Sequence, residues 1–195
     1  MRKLAVLIMA LALASVACAE EIAIGAQAPG FSLVNAVDGQ TVEMNPTDGR
    51  LKVVIFTCNQ CPYAKAFEPR IIHIANKFQQ QGVRFYAIDP NDDAKFPEES
   101  LANMKARADE KEYPFPYLKD GDSKTARAYG ARVTPHVFVV EGDGSVVYRG
   151  YVDDDAKPEK RKTTGLTDAL NALTNGRQIA NTKTNAFGCT IKWKS

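Results

Sequence analysis

The sequence predicts an α/β domain in which helices cover a central mixed β-sheet. Residues 51–57 form an almost continuous apolar run rich in β-branched residues, as expected for a strand buried on both faces. In residues 62–80 the apolar side chains recur three or four positions apart, which indicates a helix directly after that strand. A turn of polar and glycine residues inside 135–151 indicates a β-hairpin late in the chain.

The remaining elements follow from the same two periodicities. Strands are predicted at 31–34, 40–44, 51–57, 82–89, 135–140 and 145–151. Helices are predicted at 62–80, 97–112, 123–129 and 163–174, with a kink or restart at Pro69 and an N-cap at Ser123. Two prolines favour an extended segment at 113–118, residues 153–162 are expected to form a solvated charged loop, and the polar tail 175–195 is expected to be irregular.

Length and charge narrow the class of protein. A chain of 195 residues suits one domain and can bury a large core without disulfide bonds, so its four cysteines do not indicate a small disulfide scaffold. Its 25 basic and 23 acidic residues nearly balance, which gives no attraction to nucleic acid or to anionic membranes. We therefore expect a single domain with no nucleic-acid partner, no metal and no cofactor.

Residues 1–19 have the layout of a cleaved secretory signal peptide. Arg2 and Lys3 precede a short apolar run at 4–16, and Ala-Cys-Ala at 17–19 supplies the small residues of a cleavage site. The mature domain would then be 20–195, exported to a bacterial periplasm or secreted. Lipid attachment at Cys18 is the less favoured alternative. No other run is long and apolar enough for a stable membrane span.

Cys58 and Cys61 stand where the buried strand ends and a helix begins. A helix N-terminus offers free backbone N–H groups and a partial positive charge, which favour a thiolate. This position predicts that the pKa of Cys58 is lowered, that Cys58 attacks a substrate disulfide and that Cys61 resolves the mixed disulfide. A structural disulfide or a metal site remains an alternative, although the loop is small and no second Cys-x-x-Cys follows.

Several motifs together resemble the thioredoxin superfamily. Thr134-Pro135 begins an apolar strand and is followed by a turn and a second strand that ends in glycine. The segment Cys-Asn-Gln-Cys-Pro-Tyr from Cys58 and the ending Gly-Cys-Thr-Ile-Lys-Trp-Lys from 188 to 194 are similar to the redoxin branch that includes the alkyl hydroperoxide reductase and thiol-specific antioxidant (AhpC/TSA) group. The resemblance implies a thioredoxin-like fold, a cis peptide bond at Pro135 and a substrate groove shaped by Thr134 and Pro135.

The chain departs from that family at one informative position. Members usually have histidine where this chain has Gln60, and a protonated histidine there would stabilise the thiolate. Its absence favours a reductase or an exchange enzyme over a strong oxidant. The strand 51–57 contains only Lys52 as an ionisable residue, so the base that activates Cys61 is unidentified from the sequence.

The sequence leaves alternatives open at two accessory residues. Cys189 could fold back as a third thiol towards the Cys58–Cys61 pair, pair with another chain, or be buried as an apolar residue. His136 could tune Cys58 or have a simple structural role.

The predicted activity is thiol–disulfide exchange through Cys58 and Cys61. Its partners would be a disulfide-containing protein or a small thiol, together with an upstream thiol donor. A thiol peroxidase that uses Cys58 and a non-catalytic metal chaperone that uses both cysteines are the alternative hypotheses.

Overall fold

A computed structural model describes residues 20–194 as a central sheet flanked by helices. The strands are β1 (Phe31–Asn35), β2 (Thr41–Met44), β3 (Lys52–Phe56), β4 (Arg84–Asp89), β5 (Tyr117–Lys119), β6 (Val133–Thr134), β7 (His136–Val140), β8 (Val146–Gly150) and β9 (Cys189–Thr190). The helices are α1 (Pro62–Gln79), α2 (Leu101–Glu110), α3 (Lys124–Tyr129) and α4 (Gly165–Thr174), with 3₁₀ turns at Pro97–Glu99 and Pro158–Lys160. The signal-peptide prediction for 1–19, including Cys18, lies outside the described residues.

Within the described residues, seven strands form one mixed sheet in the order β2-β1-β5-β4-β3-β7-β8, and β6 pairs with β9 in a separate ribbon. β3 lies inside the sheet, parallel to β4 and antiparallel to β7. All five of its residues are buried, because both of its faces are covered. The carboxyl ends of β3, β4 and β5 lie at one edge of the sheet, and this edge carries the candidate site.

Alternate residues of the central strands face two different cores. One core packs β3 and β7 against the apolar faces of α1, α2 and α4, and it includes Val53, Ile55 and Phe67. The other core packs the opposite face of the sheet against α3, and it includes Phe56, Tyr129 and Ile191. The strand period of two therefore sends neighbouring residues of β3 into different layers.

The structure refines three local predictions. Pro69 lies inside one continuous helix, α1, whose neighbouring residues Phe67 and Ile71 are buried against the sheet. The helix expected at 97–112 is divided into a 3₁₀ turn and α2, with an extended Ser100 between them. Ser123 stands at the N-cap position of α3, as predicted, but its side chain makes no capping hydrogen bond and its hydroxyl donates to Pro90 O over 2.8 Å.

The segment expected to be a solvated charged loop is anchored at its start. Asp153 is 2% exposed, and its two carboxylate oxygens accept hydrogen bonds of 2.6 and 2.7 Å from Arg70 Nη1 of α1. Arg70 also donates to the carbonyl oxygens of Asp155 and Ala156. An arginine on α1 thus fixes the loop that follows β8, and only its later residues are exposed.

No helix among residues 20–194 is both long enough and apolar enough to cross a membrane.

Candidate active site

Cys58 and Cys61 lie in the short loop that joins β3 to α1. β3 ends at Phe56 and α1 begins at Pro62, so both cysteines are held between two well-packed elements. Their thiols are free, and the residues are only 5% and 3% exposed. The loop therefore presents two adjacent thiols from a fixed backbone, with little of either sulfur open to solvent.

The Thr134-Pro135 segment lies directly against both sulfur atoms. The peptide bond before Pro135 is cis, as the family resemblance implies. Thr134 Oγ1 lies 3.2 Å from Cys58 Sγ, and Cys61 Sγ lies 3.1 Å from Thr134 O, a contact in which a thiol is the donor. The structure thus brings together the four residues that the sequence analysis placed in the site.

The free N–H group that the α1 N-terminus offers to sulfur reaches Cys61 and not Cys58. Cys61 is the N-cap residue of α1, and its Sγ accepts a hydrogen bond of 3.4 Å from Ala64 N. The expectation that this helix end lowers the pKa of Cys58 is therefore wrong, because the first turn begins after Cys61.

The pKa values of the Cys58 and Cys61 thiols are shifted in opposite directions. The hydrogen bond with Cys61, burial and the negative charge of Glu99 raise the pKa of Cys58 above its usual range. The hydrogen bond from Cys58, followed by those from Cys189 and Ala64 N–H, lowers the pKa of Cys61 to about 4. Because each thiol shifts the pKa of the other, the pair titrates as a unit with its negative charge nearer Cys61.

A buried carboxylate holds the backbone between the two cysteines. Glu99, which is 1% exposed, accepts hydrogen bonds of 2.7 Å from Asn59 N and 3.2 Å from Gln60 N. It also accepts from Asn91 Nδ2 over 3.3 Å. These bonds fix the conformation of the loop, and the negative charge of Glu99 acts on Cys58.

Asp89 and Lys119 complete this arrangement, which we call the buried charged cluster (Asp89, Glu99 and Lys119). Lys119 Nζ donates to Asn91 O over 2.7 Å and to Glu99 O over 2.9 Å, and it lies 3.7 Å from Asp89 Oδ1. Burial raises the pKa of Asp89 well above its usual range, although the charge of Lys119 opposes that shift.

The sequence analysis missed all three residues of this cluster. A signal existed for two of them, since Asp89 and Lys119 end the strands β4 and β5 at the edge where Cys58 follows β3. Glu99 carried no such signal, because it reaches the loop from a 3₁₀ turn that follows β4.

The C-terminal tail folds back onto the site. β9 pairs antiparallel with β6, with Cys189 opposite Thr134. The side chain of Cys189 packs against the cluster of Cys58, Cys61 and Ala64. The sequence analysis left three alternatives for Cys189, and the structure agrees with the one that places its thiol beside Cys58 and Cys61. We call residues 187–191 the tail strand.

Contacts further along the tail hold it in place. Ile191 is buried in the core on the α3 side, and its N–H donates to Arg132 O over 3.2 Å. Arg127 lies over the ring of Trp193, 4.5 Å from its centroid. The tail is therefore irregular for most of its length, as predicted, but it is docked at its end.

Two other ionisable residues lie outside the site. His136 is 1% exposed, stacks near Phe138, and has its pKa lowered to about 4 by burial; the charges acting on it are Glu21, Arg132 and Arg149. Lys52 is buried at the opposite end of β3, where its Nζ donates to Pro46 O and Arg50 O. His136 thus fits the structural alternative better than a role in tuning Cys58.

Residues 20–194 contain no group of three or more His, Cys, Asp or Glu side chains arranged to hold a metal ion.

Comparison with known proteins places this geometry in a family. The family model described as AhpC/TSA matches residues 24–149. The chain belongs to the AhpC/TSA family. The match begins just after the predicted signal peptide and ends within β8, so it includes both cysteines and the Thr134-Pro135 segment.

Individual relatives of this AhpC/TSA chain agree with the assignment. It is 26% identical over 128 residues to a thiol-disulfide oxidoreductase ResA from Bacillus cereus, a match that covers 66% of this chain and 69% of the relative. A crystal structure of an uncharacterized conserved protein from Geobacillus kaustophilus is 39% identical, with a TM-score of 0.83, over 88% of this chain and 93% of that one.

The fold is thioredoxin-like. The thioredoxin domain of a thiol-disulfide oxidoreductase from Bacteroides vulgatus superposes with a TM-score of 0.59 at 18% identity, over 80% of this chain and 99% of that domain. At that identity the superposition bears on the fold alone, and it confirms the mixed sheet with flanking helices that the sequence predicts.

Proposed function

We propose that this protein is a thiol–disulfide oxidoreductase that works through the Cys58–Cys61 pair. The observation that carries the proposal is the placement of two free thiols between a central strand and a helix N-terminus, both in contact with Thr134 beside a cis proline. The general class is the one that its curated relatives carry.

In the first step Cys58 attacks a substrate disulfide. The proton of Cys58 passes along its hydrogen bond to Cys61, whose lowered pKa reflects the charge it carries in the resting pair. Thr134 Oγ1, 3.2 Å from Cys58 Sγ, can donate to this sulfur as it gains negative charge. A bond forms between Cys58 Sγ and one substrate sulfur, and the other substrate sulfur leaves as a thiolate.

In the second step Cys61 resolves the mixed disulfide. Cys61 Sγ attacks Cys58 Sγ, the Cys58–Cys61 disulfide forms, and the second substrate sulfur leaves as a thiol with the proton that Cys61 had received. The two thiols have lost two electrons and the substrate disulfide has gained them. An upstream thiol donor returns the pair to its reduced state by the same exchange chemistry.

Both steps require a loop that keeps its shape while bonds change. The hydrogen bonds from Asn59 N and Gln60 N to Glu99 hold that loop in place. Thr134 Oγ1 can donate to Cys58 Sγ whenever that sulfur carries negative charge. We propose that Thr134 and Pro135 also border the groove that receives the substrate.

The reduction potential of the Cys58–Cys61 pair tests the proposal. The protein would be equilibrated in dithiothreitol or glutathione buffers with Cys189 replaced by Ser. We expect a reversible two-electron couple at or below the potential of thioredoxin, about −270 mV, as for a reductase. Absence of any reversible couple would overturn the exchange mechanism, and a potential near −120 mV, roughly that of a strong oxidant, would overturn the direction.

The order of attack has its own test, again with Cys189 replaced by Ser. Reduced Cys61→Ser protein should release one thionitrobenzoate per chain from Ellman's reagent and retain the other on Cys58. The parent protein should release two. If Cys58→Ser instead reacts faster and forms the stable adduct, Cys61 is the attacking residue.

The alternative activities make distinct predictions. A thiol peroxidase would consume hydrogen peroxide with a thiol donor at a rate that depends on Cys58, and this alternative has some support from the Thr134 hydroxyl beside Cys58 Sγ. A metal chaperone would be purified with stoichiometric copper or zinc and would show no disulfide reductase activity.

Export to a bacterial periplasm or secretion also forms part of the proposal. It rests on the amino-terminal sequence pattern alone. The substrate would be a disulfide-containing protein or a small thiol compound in that compartment. Fractionation of cells that express the full chain, with mass measurement of the mature N-terminus, tests both export and cleavage after Ala19.

A further inference from the structure

A third thiol adjoins the redox pair from a distant part of the sequence. Cys189 lies opposite Thr134 in the β6–β9 ribbon, beside the Cys58–Cys61 pair. Its side chain packs against Cys58, Cys61 and Ala64. Cys189 is half-buried, whereas Cys58 and Cys61 are buried. One sulfur of the three is thus more open to solvent than the other two.

The backbone fixes this third thiol in position. Cys189 lies opposite Thr134 in the β6–β9 ribbon, and Thr134 is the residue that contacts both other sulfur atoms. Gly188 lies so close to Thr134 O that a Cβ at this position would overlap it. The close approach of the tail strand to Thr134 therefore requires glycine just before the cysteine.

The tail is also tied to the residues that support the redox loop. Lys192 N donates to Asn91 Oδ1 over 2.8 Å, and Asp92 N donates to Lys192 O over 2.7 Å. Asn91 Nδ2 in turn donates to Glu99, which holds the loop between the cysteines. One asparagine therefore links the tail to the carboxylate that positions Cys58 and Cys61.

We propose that Cys189 is a third redox residue, which replaces Cys58 as the disulfide partner of Cys61. This proposal rests on the proposed exchange function of Cys58 and Cys61. In the step, Cys189 Sγ attacks Cys61 Sγ of the Cys58–Cys61 disulfide. The Cys61–Cys189 bond forms, the Cys58–Cys61 bond breaks, and the proton of Cys189 ends on Cys58. No net oxidation occurs, because one disulfide replaces another.

The surroundings of Cys58 favour this direction. Burial and the charge of Glu99 favour the protonated form of Cys58, which is the form that the transfer leaves behind. The hydroxyl of Thr134 lies within 3.2 Å of Cys58 Sγ and can donate to that sulfur as it leaves. After the transfer, a thiol donor can attack the more exposed Cys189 instead of a buried sulfur.

The Cys58–Cys61 and Cys61–Cys189 disulfides can be distinguished by mass, because trypsin places Cys189 in a different peptide from Cys58 and Cys61. Cleavage after Lys52 and Lys65 leaves Cys58 and Cys61 in one peptide, and cleavage after Lys183 and Lys192 leaves Cys189 in another. Reduced full-length protein would be oxidised with limiting oxidised glutathione, quenched in acid with N-ethylmaleimide, separated as monomer on a non-reducing gel and digested.

We expect monomer to yield both the internal disulfide of the 53–65 peptide and a linked pair of the 53–65 and 184–192 peptides. The linked pair should persist in Cys58→Ser and disappear in Cys61→Ser. If oxidised wild-type monomer gives only the internal disulfide, the third-thiol proposal is overturned while the exchange function stands. If neither disulfide forms, the proposed function itself fails.

The rate of re-reduction supplies a second readout. Oxidised Cys189→Ser protein should be reduced by dithiothreitol about tenfold more slowly than wild type, because both of its disulfide sulfurs are buried. Thr190→Ala is the matched control on the same strand, since Thr190 is exposed and leaves the sulfurs untouched. Equal re-reduction rates for wild type and Cys189→Ser would contradict a role for Cys189 in receiving electrons.

Discussion

The loop that carries Cys58 and Cys61 is held on its two sides by different kinds of contact. On one side the buried charged cluster holds the loop through backbone N–H groups, and its three residues are at most 7% exposed. On the other side the tail strand is held by a two-residue β pairing in which Cys189 is half-buried and Thr190 is exposed. The first side belongs to the folded core, and the second lies over the surface of the site.

Because of this difference, we expect substitutions on the first side to change the stability of the fold. Substitutions on the second side should change how accessible the sulfur atoms are. Buried charges are costly to leave uncompensated, so changes in the buried charged cluster should act on the whole fold. A short surface ribbon can detach at lower cost, so changes in the tail strand should act on the reactivity of Cys61 and Cys189. Substitutions on either side can test this division.

The largest effect is expected for Lys119→Met. The change removes the ammonium that donates to Asn91 O and Glu99 O and leaves the carboxylates of Asp89 and Glu99 in a buried site. We expect the free energy of unfolding to fall by about 3–5 kcal/mol, measured by urea denaturation. Lys192→Met on the tail is the control, because its side chain is exposed. Equal losses for both variants would contradict the proposed division.

Glu99→Gln should have a smaller effect on stability and a specific effect on Cys58. An amide in place of the carboxylate sets a donor against one of the N–H groups of Asn59 and Gln60, at a cost of about 1–3 kcal/mol. It also removes a charge that raises the pKa of Cys58, so that pKa should fall, as measured by the ultraviolet absorbance of the thiolate. Glu98→Gln, at the exposed neighbouring position, should leave both quantities near wild type.

Gly188→Ala tests the tail side. The new Cβ overlaps Thr134 O, and the backbone φ of +156° is unfavourable for alanine, so the tail strand should detach. Detachment relieves the clash and limits the loss of stability to about 1 kcal/mol. The alkylation rates of Cys61 and Cys189 by iodoacetamide should rise, whereas Asn185→Ala, at an exposed tail position, should leave them unchanged. Unchanged alkylation in Gly188→Ala would show that the tail strand does not restrict access.

Asp89→Asn should give the smallest effect and one that depends on pH. Burial raises the pKa of Asp89 in the folded protein, so the unfolded chain loses this proton at a lower pH than the folded chain does. Wild-type stability therefore falls as pH rises from about 4, the ordinary pKa of aspartate, through the folded pKa.

The asparagine variant lacks this loss, so it should be more stable than wild type at pH 7 by up to about 1 kcal/mol, with the gap closing near pH 4. Thermal unfolding at both pH values measures the difference, and Asp93→Asn serves as a control beyond the cluster. A less stable Asp89→Asn at pH 7 would show that the ion pair with Lys119 outweighs the burial of Asp89.

Most of the architecture was predictable because its signals are local. The β-branched run before Cys58 and the helical spacing after Cys61 predicted β3 and α1 with small errors at their ends. The errors arose where tertiary contacts outweighed local preference. Burial of the residues beside Pro69 keeps α1 continuous, and Arg70 draws Asp153 out of solvent.

The candidate site was predictable only where its residues carry a motif. Cys58, Cys61, Thr134 and Pro135 followed from spacing and family resemblance, and the structure places them together. Glu99 had no motif, and the position of Cys189 remained one of several alternatives. The pKa prediction for Cys58 failed because it depended on which residue the first free N–H of the helix would reach.

The sequence by itself determined that two cysteines stand between a buried strand and a helix, because strand and helix periodicities are properties of neighbouring residues. Only the tertiary structure decided which groups surround the two sulfurs. Parallel strand ends bring Asp89 and Lys119 to the same edge, and a glycine that fits against Thr134 O brings Cys189 to Cys61. The electrostatics of the thiols thus depend on contacts between residues far apart in the chain, which no local pattern encodes.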